Sequence, residues 1–553
     1  PLNRTQESNT AQAGLTLNGN LAEWRWSLTS DYTRAQTDTD TDRSGDITAL
    51  QAAIDAGSVD PRADGFGPLL GAPVTDNARG VSQSFNNLAT ISGSLLNLPS
   101  GTVTTTLRAG YNREDLDSRE TRRGIVTATD LGRDTLSTGF NIDIPLADEN
   151  IDVAEAIGKL SINGNLGYAE LSDFGGLVEF GFGLNWEPVD GLVFTASAIG
   201  EEAAPGITQL GNPVIITPDV TTFDFANGQS VLAAITTGGN PALLAEKRRD
   251  IKLAVNYRPD WLEGFSFLGE YFRNNSDNVA SSFPLLTPEI EAAFPDRVTR
   301  DPSGQLVAID RRPVNYANVS SERIRYGIDF SKRFGERRGN GGGRPDRAAR
   351  QGGAATPGGE PQGEKPPEGA PAEGGQAERR SGQRGGPGIG GRPRGGRWQI
   401  SAYHTIRLED RIRIRDGVDE LDLLNGSAVG SSGGSPRHEF EINGGWFNNG
   451  IGFRLDGKHQ VATRVDGGLT GSDLRFSDLT TFNLRLFVNL DDRGSLTENV
   501  PFLKGSRIAF KIDNIFNDIQ TVRDGSGLVP LSYQPGYLDP VGRYVEIDFR
   551  KRF

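Results

Sequence analysis

The chain has 553 residues, no cysteine, and three histidines, His404, His438 and His459, on separate stretches. That excludes a disulfide framework or thiolate metal site and is poor material for a metal cluster. The net charge of −14 is spread with both signs along the chain, so the basic face that nucleic-acid binding needs is missing and no nucleic-acid partner is expected. No stretch nears the roughly 18 consecutive apolar residues of a membrane helix. A membrane β-barrel stays open, because its strands hide their hydrophobicity in alternation.

The chain begins at Pro1, contains no methionine, and carries no basic-then-apolar leader before its first strand. It reads as a mature or truncated piece. From there the dominant signal is period two, which puts alternate side chains on opposite faces of a strand. At 251–257, Ile251, Leu253, Val255 and Tyr257 alternate with Lys252, Ala254 and Asn256. At 324–330, Ile324, Tyr326, Ile328 and Phe330 alternate with Arg325, Gly327 and Asp329. Residues 481–490 and 507–516 repeat the pattern, with Phe487 the exception.

Strands are predicted near 10–19, 23–36, 83–97, 102–117, 134–146, 159–172, 176–187, 192–205, 248–258, 264–278, 322–334, 398–414, 437–448, 450–465, 476–490, 505–521 and 541–553. Short connections with turn chemistry, such as Leu98-Pro99-Ser100-Gly101 and Asn448-Asn449-Gly450, alternate with long ones over 37–82, 206–247, 280–321 and 415–436. A soluble sandwich has no reason to gather its long loops at one end. Outer-membrane barrels do so, with short periplasmic turns and long extracellular loops. The fold class is therefore an all-β, antiparallel transmembrane outer-membrane β-barrel. The count of about 17 strands is odd, whereas single-chain bacterial barrels have even numbers. An incomplete barrel is expected, with its first and last strands facing a gap or forced together.

Residues 335–397 break the pattern. Of these 63 residues, 21 are glycine and eight are proline, none is aromatic, and Ile389 is the one large apolar side chain. Such a segment cannot bury enough surface to offset its ordering entropy. It follows a strand ending Ile328-Asp329-Phe330-Ser331-Lys332-Arg333-Phe334, and the chain itself ends Ile547-Asp548-Phe549-Arg550-Lys551-Arg552-Phe553. Two strands that end alike should meet the same interface. The expected organisation is barrel strands with long extracellular loops over 1–334, a disordered periplasmic insertion over 335–397, either a tether or a tolerated insertion, and C-terminal barrel strands over 398–553.

The C-terminal residues carry a family likeness. Phe510-Lys511-Ile512-Asp513-Asn514-Ile515-Phe516-Asn517-Asp518 resembles the penultimate strand of TonB-dependent outer-membrane receptors. The loop Leu286-Thr287-Pro288-Glu289 through Ile309-Asp310-Arg311-Arg312-Pro313-Val314-Asn315 is similar to loops in a subset of them. In that family the last strand also resembles the signal read by the barrel assembly machinery. Val545, Ile547, Phe549 and Phe553 match its alternating apolar positions, and Lys551 departs from it. The resemblance implies about 22 strands around a plugged lumen, of which about five strands, the plug and the segment contacting the TonB complex would lie in a missing N-terminal part. It implies a barrel in outer-membrane lipid and energy-coupled import of a scarce nutrient, such as a siderophore or glycan, bound by the long loops and upper lumen. The alternatives are a passive porin and an adhesin or scaffold barrel.

An enzyme is not expected. No motif pairs a serine with His404, His438 or His459, which read as polar lumen or rim residues. The pairs Glu201-Glu202, Asp491-Asp492 and Glu409-Asp410 read as solvated rim. The run Asp38-Thr39-Asp40-Thr41-Asp42 offers oxygen ligands for calcium but lacks the glycine and distal glutamate of an EF-hand loop. No cofactor is implied, and the ligand-binding residues are not legible.

Overall fold

A computed structural model describes residues 3–552 apart from 44–47, 61–68, 70–73, 123, 149–156, 335–395, 431–432, 468–471 and 491–493. Its principal sheet has 18 members, one of which is the two-residue Leu421–Asp422. The other 17 form an antiparallel wall in chain order. They are β1 (Arg4–Leu21), β2 (Trp24–Arg43), β3 (Val74–Leu98), β4 (Gly101–Arg122), β5 (Ile125–Ala147), β6 (Lys159–Leu171), β7 (Gly175–Val189), β8 (Leu192–Ala203) and β9 (Glu246–Tyr257). Then come β10 (Phe265–Ser281), β11 (Val314–Phe334), β12 (Gly396–Arg413), β13 (His438–Asn448), β14 (Ile451–Gln460), β15 (Leu479–Asn489), β16 (Ser506–Asp513) and β17 (Tyr544–Lys551). Each pairs with its chain neighbours. The two parts that flank 335–395 join in one sheet, because β11 and β12 pair from Asn318↔Arg413 down to Phe334↔Gly396.

The register shows why these residues choose this sheet. One row across neighbouring strands runs Trp26, Ile91, Leu107, Phe140, Leu166, Phe180 and Gly200. Leu166 is 57% exposed and Phe180 is 44% exposed. A row on the opposite face runs Ser27, Thr90, Arg108, Gly139, Gly167, Glu179, Glu201 and Arg248. A wall with exposed apolar side chains on one face and polar side chains on the other is stable with lipid on the first and water on the second. The apolar face therefore defines the outside and the polar face the lumen. Turn chemistry fixes the register where connections are short. Asn449 and Gly450 both take positive φ, 44° and 82°, as the favoured two-residue hairpin turn requires.

Among the described residues, β1 pairs only with β2, and β17 only with β16. With 17 antiparallel strands these two edges run in the same direction. Direct closure between them would be parallel, unlike every other pairing in the wall.

Several strands are longer than their hydrophobic alternation. Residues 118–133 were expected to connect two strands, yet β4 and β5 continue through them to a tight turn at Gly124. Above the lipid both faces meet water or protein, so the ladder persists while the apolar period disappears. For the same reason 37–43, 74–82 and 314–321 belong to strands rather than loops.

Candidate functional site

The remaining long loops fold against one another into a cap. Ile215–Asp224, Gln229–Thr237, Leu306–Asp310 and Val298–Arg300 make a four-stranded sheet. Its central pair is parallel, with Ile235 opposite Ile309. Thr463–Val465, Leu474–Phe476 and Val522–Asp524 make a three-stranded one. Two apolar clusters hold these pieces together. One joins Val231, Phe283, Ile290, Leu306, Ile309 and Tyr316 to Ile412 at the top of β12. The other joins Phe223, Phe225, Val465, Phe476, Val522 and Tyr533, which come from five chain segments.

The cap is seated on the inner wall of the barrel. Leu116 and Leu131 are cross-strand partners on β4 and β5, and an added Cβ at Gly211 of the cap would meet both. The Ser118 hydroxyl donates to the Gly211 carbonyl at 2.8 Å. Arg133 donates to the Pro205 carbonyl at 2.9 Å and pairs with Asp173 at 2.8 Å. On β11 and β12, Val319 and Ile412 pack into the cap. The cap thus bridges β4–β5 to β11–β12 across the mouth.

Its polar framework centres on Arg300. The guanidinium donates to both carboxylate oxygens of Asp224 at 2.8 and 2.9 Å, and to both of Glu291 at 2.6 and 2.7 Å. It thereby ties the sheet to the helix Pro288–Ala293. Asp224 is buried, at 1% exposure. Burial pushes its carboxyl up, but hydrogen bonds from Arg300 and Asn227 outweigh this and hold it below the usual carboxylate range. Asp310 is held low in the same way, with Arg312 as its main partner. Arg311 differs. It donates to Thr222 Oγ1 at 3.2 Å, no carboxylate lies within ion-pair distance among the described residues, and burial lowers its guanidinium below its ordinary value.

Below the cap, the inner wall of β12–β16 has a concavity of about 660 Å³ at the short-turn end, lined by Arg397, Tyr403, Asp456, Arg454, Arg485 and Arg507 among others. Beside it Arg325 lies 4.2 Å over the Tyr403 ring and donates to Glu441 at 2.6 Å.

Of the two places expected for the histidines, polar lumen or rim, the register excludes the lumen. Tyr326, His404, Phe440, His459 and Thr480 form one cross-strand row on the outer, apolar face with Ile328 and Ile442, so they are not lumen residues. His404 stacks on Phe440 at 4.2 Å, and its ring nitrogens meet Tyr326 Oη at 2.8 Å and His438 Nδ1 at 3.1 Å. Register, which the sequence could not supply, brought them together. The Asp38–Asp42 run does not converge either. Thr39 and Thr41 are buried, which leaves the alternate aspartates on the other face, about 7 Å apart along the strand. Asp38 accepts from Gln36, Asp40 from Asn77 and Asp42 from Thr75. Among the described residues no group of three metal-ligating side chains occurs.

Val545, Ile547 and Phe549 lie on one face of β17, opposite Ile512, Phe510 and Ile508, and are 52%, 74% and 51% exposed. Phe553 lies outside the described residues. The ammonium of Lys551, which departs from the apolar pattern, sits 3.5 Å over the Phe502 ring.

No protein-family model matches the chain, and no curated protein matches it in sequence. Its fold does match solved structures. A ferric enterobactin receptor mutant from Pseudomonas aeruginosa aligns with 99% of this chain at 13% identity and a TM-score of 0.52. The siderophore receptor PirA from Acinetobacter baumannii aligns with 99% at 11% identity and 0.52. The outer-membrane transporter YddB from Escherichia coli aligns with 99% at 10% identity and 0.56. The chain spans 62–63% of the length of these three structures. An apolar outer belt, a polar lumen wall and a loop cap seated in the mouth therefore belong to a chain with the β-barrel fold of these outer-membrane receptors and this transporter.

Proposed function

We propose that this chain forms most of the barrel and the outer cap of a TonB-dependent importer in the outer membrane. The observation that carries this reading is the cap. Its own apolar core and the Arg300 network give it a defined shape over the mouth, and Arg311 supplies a buried cation with no carboxylate within ion-pair distance among the described residues. A passive pore works best with an open mouth, whereas a capturing receptor needs a shaped one. The nutrient is an anionic small molecule, in the class of siderophores or acidic glycans, held between the cap and the upper lumen. The capped end faces outside and the 335–397 segment leaves from the periplasmic end.

The two free edges cannot remain in lipid, because each unsatisfied backbone group there costs several kcal/mol. β1 and β17 run the same way, so antiparallel closure takes an odd number of further strands. Val545, Ile547, Phe549 and Phe553 serve as the assembly signal of the last strand.

The test is uptake by cells that carry the full-length protein. Labelled anionic chelates should enter in a saturable, TonB-dependent manner, and Arg311→Gln should weaken their binding about tenfold. Uptake that is non-saturable and indifferent to TonB would replace the importer by a porin.

A further inference from the structure

All three histidines of the chain lie on three successive strands, His404 on β12, His438 on β13 and His459 on β14. They share the outer face, and two of them meet. His404 Nε2 is 3.1 Å from His438 Nδ1, and the ring centroids are 5.3 Å apart, so the rings face each other edge to edge, nitrogen to nitrogen. His404 is held from two other sides. Phe440 lies flat against it, at 4.2 Å and 6°, and Tyr326 Oη is 2.8 Å from its Nδ1. His459 bonds Thr480 instead, Nδ1 to Oγ1 at 2.8 Å.

The pair stands at a particular place in the fold. Ile406↔His438 is the last pair that joins β12 to β13. Above it the strands part, and the chain between them enters the cap with Ile414, Leu421, Leu423 and Val429. The 11 residues of β13 make about 36 Å of strand, which at about 45° tilt rises about 25 Å, the height of the apolar band. His438 therefore stands at the upper edge of the belt, and both rings are partly exposed there.

Two imidazole nitrogens so placed suit one transition-metal ion. Metal–nitrogen bonds of about 2.0–2.1 Å, at angles between square and tetrahedral, put two nitrogens about 2.9–3.4 Å apart, and the observed 3.1 Å lies in that range. With its proton on Nδ1, His404 donates to Tyr326 Oη and offers the Nε2 lone pair. With its proton on Nε2, His438 offers Nδ1. The broad χ2 well of histidine lets the His438 ring turn on to the ion, while a second group holding the other ring N–H is what orients a metal-ligating histidine. Among the described residues no third histidine or carboxylate joins the pair, so water completes the coordination.

We propose that His404 and His438 bind one divalent transition-metal ion from the outside medium, Cu²⁺ more tightly than Ni²⁺ or Zn²⁺, and that the ion fastens the foot of the cap segment between β12 and β13. The site stands apart from the transport reading, since it touches neither the lumen nor the imported nutrient.

The test is Cu²⁺ titration of the complete protein, purified in detergent without a polyhistidine tag. Electron paramagnetic resonance should show one site with two imidazole nitrogens. His404→Gln and His438→Gln should each weaken binding about a hundredfold, and Tyr326→Phe, which removes only the orienting partner, about tenfold. His459→Gln should bind as the unaltered protein does. Zn²⁺ at about a hundred times its Kd should slow hydrogen exchange at Leu421 and Leu423 by more than about tenfold, within the roughly hundredfold ceiling for such a ligand, and leave β4–β7 unchanged. A spectrum without two imidazole nitrogens, unchanged affinity in His404→Gln or His438→Gln, an equal loss in His459→Gln, or exchange indifferent to Zn²⁺ would overturn the proposal.

Discussion

The belt of the barrel and its cap are built on opposite rules from one chain. In the belt the apolar side chains are on the outside. Leu166, Phe180 and Phe182 are exposed, and the facing lumen row holds glycine, threonine, arginine and glutamate. In the cap the apolar side chains are inside. Phe225, Ile290, Leu306, Val465 and Phe476 are at 0% exposure, and the charges close over them in bidentate pairs. The difference teaches that the solvent, not the residue type, sets where hydrophobicity goes. Lipid rewards an inverted wall whose backbone groups are all paired along the sheet. Water above the lipid rewards an ordinary core.

That contrast breaks most severely if a charge is put on the belt. Leu166→Arg, on the lipid face of β6, should cost about 2–4 kcal/mol near the bilayer midplane, whereas arginine already stands on the lumen face at Arg108. The yield of heat-modifiable barrel in the outer membrane should fall sharply. Ile547→Ser with Phe549→Ser should lower it too, with more chain degraded before insertion. Normal yield from both variants would mean that this face does not meet lipid.

A smaller effect is expected from the cap. Asp224→Asn leaves Arg300 half-paired in a buried setting and should destabilise the cap by about 3 kcal/mol. Hydrogen exchange should quicken over 215–237 and 298–310 and stay unchanged in β4–β7. Spread of the change into the belt would show that the two regions unfold as one unit.

Acid should act on the same contrast, and more gently. The Asp224 and Asp310 carboxyls are held below their ordinary value in the folded cap. Their contribution is therefore fully present above the unfolded value of about 3.9 and is lost as pH falls through the depressed folded value. Limited pepsin digestion should spare the cap at pH 5 and cut it at pH 2, while the belt resists at both. In Asp224→Asn the pH dependence should flatten.

The sequence by itself determined the wall. All 17 long strands were legible, because in a barrel each strand carries its own two-faced pattern and the turn residues, such as Asn449-Gly450, are local. It also determined the attachment of 335–395 between two paired strands and the outward set Val545, Ile547 and Phe549. Only the tertiary structure decided the cap. Phe223, Val465, Val522 and Tyr533 come from three different loops, and each of their segments is too short or too irregular to show a period. Their partners are set by which strands stand next to one another around the barrel. The same holds for Arg300 with Asp224, 76 residues apart, for His404 against Phe440, and for the adjacency of Arg454 and Arg485. A period of two tells which face a side chain is on. Register tells what it touches, and register is a property of the whole ladder of hydrogen bonds, not of any one strand.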